Sequence, residues 1–213
     1  MIVIIRIHSQ KEIKYAWDEL VKQKDEIQSQ LGNKSHLLYL TKRMGYHNEA
    51  SLLVDVEDQA GLRDLIVNHL SKIKGVDGFS LHQLYSPKFY PLPHDTRDLK
   101  RFTVILKVDP SSLSEVYKKL IDPNLPAGLR KVYFAFTFYN LDESLLFSLL
   151  APSEEIFKKY VAEVIDKLPG VLQTSTYTIE RTKPFISYKD WQAYASQKLS
   201  ALSWAHLKGQ FTE

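Results

Sequence analysis

One stretch of this chain recurs, and no other feature restricts the possible folds as strongly. Residues 49–86 read EASLLVDVEDQAGLRDLIVNHLSKIKGVDGFSLHQLYS, and from Glu143 the chain reads ESLLFSLLAPSEEIFKKYVAEVIDKLPGVLQTSTYTIER. Glu49 aligns with Glu143, Leu62 with Ile156, and Gly75-Val76 with Gly170-Val171. The offset is roughly 94 positions, with about one residue inserted before the second Gly-Val. Each copy runs strand, polar turn, amphipathic helix, Gly-Val, strand.

Reading outward from the repeat completes two units. In the first, Met1 to His8 is a β-branched strand, and a helix follows to about Leu31, with Ser9 as its N-cap and Glu12 at the capping-box position. Ile13, Ala16, Trp17, Leu20, Ile27 and Leu31 share one face of that helix. Strands follow at His36–Met44 and Ser51–Val56, joined by a turn at Gly45–Asn48. A helix over Gln59–Lys74 and a strand over Phe79–Tyr85 complete a β-α-β-β-α-β unit. The second unit repeats the order: Arg101–Val108, a helix over Ser111–Ile121, strands at Lys131–Tyr139 and Leu145–Leu150, a helix over Ser153–Leu168 burying Ile156, Tyr160, Val161, Val164 and Leu168, and a strand at Val171–Glu180. The expected fold is α+β: two tandem ferredoxin-like βαββαβ units forming an intrachain dimeric α/β-barrel-like arrangement, plus a C-terminal helix. The units span residues 1–93 and 101–186, with a Pro-rich linker at 94–100 and a tail at 187–213. In that tail Trp191, Tyr194, Leu199, Leu202 and Leu207 line one side of a helix, which packs on its own chain or serves as a dimer arm.

Bulk properties remove several function classes. Of the 213 residues, 44% are hydrophobic and 25% charged, a globular balance. The net charge of +3 comes without a basic block, so direct nucleic-acid binding is not expected. The chain contains no cysteine, which removes disulfides, thiolate metal sites and cysteine nucleophiles. The apolar start is too short for a signal peptide or a membrane span, and a cytoplasmic protein is expected.

Alternation along the strands sorts the polar residues. Val3, Ile5, Ile7, Leu52, Val54 and Val56 form one apolar set that faces the helices. The opposite face carries Ile2, Ile4, Arg6, His8, Tyr39, Thr41, Arg43, Ser51, Leu53 and Asp55. In the second unit Phe102, Val104, Leu106, Phe134, Phe136 and Phe138 face the helices, and Thr103, Ile105, Lys107, Tyr133, Ala135, Thr137 and Tyr139 face away. The phase of LLFSLL, residues 145–150, stays open. Where the two half-polar faces meet, Arg6, Tyr39, Arg43, Asp55, Lys107 and Tyr133 would line an interior. Ionisable groups there need partners or a ligand.

The turn Gly45-Tyr46-His47-Asn48-Glu49, the following SLLVDVED and IKGV, and their counterparts Asn140-Leu141-Asp142-Glu143, LLFSLLAP, KLPGV and TSTYTI resemble the effector-binding domain of the Lrp/AsnC (feast/famine) transcription regulators. The resemblance covers nearly the whole chain except the tail. It implies a small-molecule-sensing regulator that binds an effector, an amino acid or related anion, through Tyr46, Asn48, Glu49 and Asp58 and through Asn140, Asp142, Glu143 and Ser144. With the first strand read from Met1, no helix-turn-helix domain is expected. The implied action is therefore through an Lrp/AsnC-type protein partner or a homo-oligomer.

The competing expectation is a small barrel enzyme, monooxygenase-like or haem-related, with Arg6, His8, Tyr39 and Arg43 as the groups to watch. The seven histidines make no HExxH or i, i+4 pair. His8 and His82 lie on strands from which either can approach a ligand on the open face. No phosphate-binding, dinucleotide or nucleophile-elbow motif occurs, and no cofactor or metal is expected.

Overall fold

The computed structural model describes residues 1–121, 125, 126, 128–137 and 144–197. They form an α+β fold whose paired strands run antiparallel. The elements are β1 (Ile2–His8), α1 (Lys14–Leu31), β2 (His36–Arg43), β3 (Glu49–Asp55), α2 (Gln59–Asp64), β4 (Gly78–Phe89), β5 (Lys100–Val108), α3 (Leu113–Ile121), β6 (Arg130–Phe136), β7 (Leu145–Ala151), α4 (Glu154–Tyr160), β8 (Val171–Pro184) and α5, residues 188–197. The strands are hydrogen-bonded in the order β1-β3-β2-β8-β5-β7-β6-β4, and β4 returns to β1.

The chain divides into two compact units. The first is Met1–Tyr85 with Thr178–Ile186, and the second is Ser86–Tyr177 with the chain from Ser187. β4 and β8 run longer than the sequence pattern suggests and pass from one unit into the other.

In the first unit, Val3, Ile5, Ile7, Leu37, Leu40, Leu52 and Val54 pack against Ile13, Trp17, Leu20 and Ile27 of the α1 segment and against Leu65 and Leu70. The expected helix-facing set is therefore the core. α1 starts at Lys14, later than the capping box implies. Ser9 Oγ instead accepts from Lys11 N at 3.3 Å, in the turn ahead of the helix. Asp58 caps α2, its carboxylate accepting from Gly61 N at 2.8 Å.

The second unit has its own core. Phe102, Val104, Leu106, Phe134, Leu145, Phe147 and Leu149 pack with Val116, Leu120, Phe157 and Ile165, and the rings of Phe102 and Phe157 stack at 4.0 Å. β5 and β7 pair Phe102 with Leu149 and Val104 with Phe147, which assigns Leu145, Phe147 and Leu149 to the helix side. The buried face of α4 differs from the simple helical reading. Phe157 begins it while Ile156 is exposed, and a π-type turn over Val161–Ile165 inserts a residue, so that Ile165 is buried and Val164 is exposed.

Both helix exits need glycine. Gly75 and Gly170 have φ of 90°, a region open to glycine. A Cβ on Gly170 would also lie 2.2 Å from Ser112 Cβ.

α5 packs within the second unit. Trp191 Nε1 donates to Tyr90 O at 3.1 Å, Gln192 Nε2 donates to Leu92 O at 2.6 Å, and Phe89 meets Trp191 edge-on at 5.6 Å. Leu199, Leu202 and Leu207 lie outside the described residues.

Candidate functional site

The sheet of the first unit, read across β4, β1, β3 and β2, lays out rows on the face away from α1. His8 stands opposite Gly78 and Glu49. Arg6 stands opposite Ser80 and Ser51, and Ser51 opposite Thr41. Ile4 stands opposite His82 and Leu53, and Leu53 opposite Tyr39. A β-bulge between Leu37 and Tyr39 gives β2 its phase here. Without it Tyr39 would point into the core.

The first row is joined by charge. Arg43 Nη2 donates to Glu49 Oε1 at 2.8 Å, with side chains only 10% and 12% exposed. The second carboxylate oxygen lies 3.7 Å from His8 Nδ1, and His8 Nε2 is 2.8 Å from Ser80 Oγ. The Arg43 guanidinium also covers the Tyr46 ring at 4.9 Å. Removing either member of a pair this enclosed leaves the other's charge uncompensated, so neither is dispensable alone.

His82 is buried at the third row. Burial, and then the charges of Arg6, Arg43 and His8, push its pKa down to about 4, so the ring is neutral near pH 7. A neutral imidazole beside two guanidiniums can accept a proton from a bound ligand and leave the resulting anion in a positive field. The same field opposes an iron cation at that ring, and His8 directs Nε2 to Ser80. These two imidazoles fit poorly as axial ligands of a haem. Among the described residues no group of three or more His, Asp or Glu could hold a metal ion.

The site residues expected from sequence divide into three groups. Arg6, His8, Tyr39, Arg43, Glu49 and Asp55 share the first unit's polar face, and Asp55 pairs with the amino terminus of Met1 at 3.2 Å. Lys107 and Tyr133 are in the second unit, where Tyr133 is buried with its ring 6.2 Å from that of Phe89. The turn residues Tyr46 and Asn48 are exposed, and Asn48 O accepts from Ser9 N at 2.9 Å. Asp58 is the helix cap described above. Ser144 N donates to Leu106 O at 2.8 Å. Asn140, Asp142 and Glu143 lie outside the described residues. Sequence reasoning did not single out Ser80, and it did not identify His82 as a centre. The register of β4 against β1 brings both to this face, and alternation within one strand cannot supply register.

A separate cleft of about 360 Å3 opens beside α2, lined by Leu62, Arg63, Ile66, Val67, Leu81 and Gln83. No described helix is long and apolar enough to cross a membrane.

The chain matches no protein-family model and no curated protein. Its fold is that of several solved enzyme-class structures. A monooxygenase-like protein from Lactobacillus acidophilus superposes with a TM-score of 0.55 at 9% identity, over 87% of this chain and 94% of the other. A monooxygenase-like protein from Fusobacterium nucleatum gives 0.52 at 12% identity, over 86% and 93%. A chlorite dismutase variant from Candidatus Nitrospira defluvii, in complex with cyanide, gives 0.54 at 9% identity, over 91% and 95%. These likenesses define a fold class, and they overturn the resemblance to Lrp/AsnC effector domains and the regulatory role drawn from it. The physical reason is plain. Strand, turn, helix, Gly-Val and strand are what core packing and a left-handed exit require of any chain with this topology, so that pattern does not separate a sensor from an enzyme.

Proposed function

We propose that this chain is a monooxygenase-like enzyme acting on a small molecule bound as an anion, built from two tandem ferredoxin-like βαββαβ units. The observation that carries the reading is buried, neutral His82 on a sheet face shared with Arg6 and Arg43. The fold shared with the two monooxygenase-like proteins supports it.

The chemistry follows from the groups present. Dioxygen reacts slowly with neutral closed-shell molecules and readily with electron-rich anions. His82 takes a proton from an activated methylene or a phenolic hydroxyl, and Arg6 and Arg43 hold the anion. For a methylene flanked by carbonyl or aromatic groups, the carbon gives up both hydrogens and becomes a carbonyl with one atom of dioxygen. The other oxygen atom leaves with those hydrogens as water. For a phenol, a ring carbon exchanges its hydrogen for one oxygen atom, the hydroxyl becomes the second carbonyl of a quinone, and the other oxygen atom leaves with the two hydrogens as water. In both cases carbon is oxidised and dioxygen reduced without an added reductant. Ile4, Leu53 and Tyr39 share the row of His82 across the sheet. The test is oxygen uptake by the full chain against a panel of acidic phenols and activated methylene compounds. Turnover is expected with at least one class, with a loss of about 100-fold in Arg43→Met. No uptake with any member by a folded protein would overturn the reading.

A further inference from the structure

Ser80, His8 and Glu49 form a second arrangement that oxygen chemistry does not use. Ser80 Oγ lies 2.8 Å from His8 Nε2, and His8 Nδ1 lies 3.7 Å from Glu49 Oε2. The other oxygen of Glu49 accepts from Arg43 Nη2 at 2.8 Å, which fixes the carboxylate. The order is hydroxyl, imidazole, carboxylate, with the carboxylate held by a further group. A serine is activated as a nucleophile by such a series, whatever the fold.

The register explains how three neighbouring strands build it. His8 is cross-strand partner to Glu49 on one side and to Gly78 on the other. Gly78 has no side chain, and a Cβ there would meet nothing within 4 Å. The His8 ring reaches along β4 to Ser80, two residues on. Ser80 in turn stands opposite Arg6, whose positive charge is on the face where an oxyanion would form. His8 and Ser80 are both partly exposed, as a nucleophile and its base must be.

We propose that this face carries a second, hydrolytic activity toward small activated acyl esters. Ser80 Oγ bonds to the acyl carbon as His8 Nε2 takes its proton. The bond to the leaving oxygen breaks, and the proton passes from His8 to the departing alcohol. Water, deprotonated by His8, then bonds to the acyl carbon, and the acyl–Oγ bond breaks as His8 returns that proton to Ser80 Oγ. One ester and one water give one acid and one alcohol, and Ser80 is restored. Glu49 orients the imidazole, and Arg43 positions Glu49. The activity requires neither dioxygen nor His82, so it stands or falls separately from the oxygenase reading.

The test is labelling of the full chain with a fluorophosphonate, followed by intact mass and peptide mapping. A phosphorus–Oγ bond forms and fluoride leaves. One adduct per chain is expected, on Ser80. It should be absent in Ser80→Ala and form about 100-fold more slowly in His8→Gln. Thermal unfolding of each variant at the wild-type temperature shows that the fold is kept. A folded wild-type protein that takes no label, a label on another residue, or a Ser80 label whose rate ignores His8→Gln would each overturn the proposal.

Discussion

The two copies of the repeated unit share their irregularities and differ in their chemistry. Both second strands carry a bulge at the same place, between Leu37 and Tyr39 in β2 and between Lys131 and Tyr133 in β6. Both second helices are capped by an oxygen side chain, Asp58 or Ser153, and both continue into a π-type turn. Both exit through a glycine at φ 90°. On the polar face the likeness stops. Where the first unit has Arg43 the second has Thr137, and the residue that the repeat aligns with Glu49, Glu143, lies outside the described residues. Packing and chain reversal preserve the scaffold in both copies. On the sheet face away from its helices the first copy gathers a joined set of ionisable groups, Arg43, Glu49 and His8.

The largest difference between the copies should appear when the joined set is cut. Arg43→Met leaves the Glu49 carboxylate without its guanidinium, and a loss of about 3 kcal/mol in urea unfolding is expected. Adding Glu49→Gln should recover about half of it. Thr137→Val, at the matching position, should be neutral or slightly stabilising, because the buried Thr137 hydroxyl has no hydrogen-bond partner among the described residues. Equal costs at the two positions would break the comparison.

Much of the scaffold was legible in the sequence. Val3, Ile5, Ile7, Leu52 and Val54 alternate with polar residues, so their face could be read directly. Leu145 to Leu150 could not, since both sides of β7 are buried and the alternation is lost. The π-type turn in the second copy was also hidden, because one inserted residue changes which apolar side chains point inward without changing composition. Arg6, His8 and Arg43 were legible as polar residues on one sheet face, while Glu49 was legible only as a residue of the entrance turn. Their connection through Ser80, and the place of His82, depend on β4 pairing with β1 in one register. The functional class was not legible, because Gly75-Val76 and Gly170-Val171 report chain geometry and not ligand chemistry.

A smaller effect follows from His82. Its folded-state pKa of about 4 lies below the ordinary value of 6.5, so the unfolded chain binds the proton more tightly. The stability tied to the neutral ring is full above pH 6.5, falls as pH drops, and is lost as pH passes through 4. The loss should be on the order of 2 kcal/mol. Thermal unfolding between pH 7 and 4 should show it in the wild type and not in His82→Gln. Tyr177→Phe, at the position that the repeat aligns with His82, should leave the profile unchanged.

If one copy carries the chemistry while its twin serves as scaffold, the two aligned positions must answer differently in turnover. The decisive measurement is oxygen uptake, side by side, for His82→Gln and Tyr177→Phe, with whichever phenol or activated methylene compound the wild type turns over. A loss of about 100-fold is expected in the first variant, and wild-type turnover in the second. Equal losses in both, or full activity in His82→Gln, would contradict the division of labour between the copies.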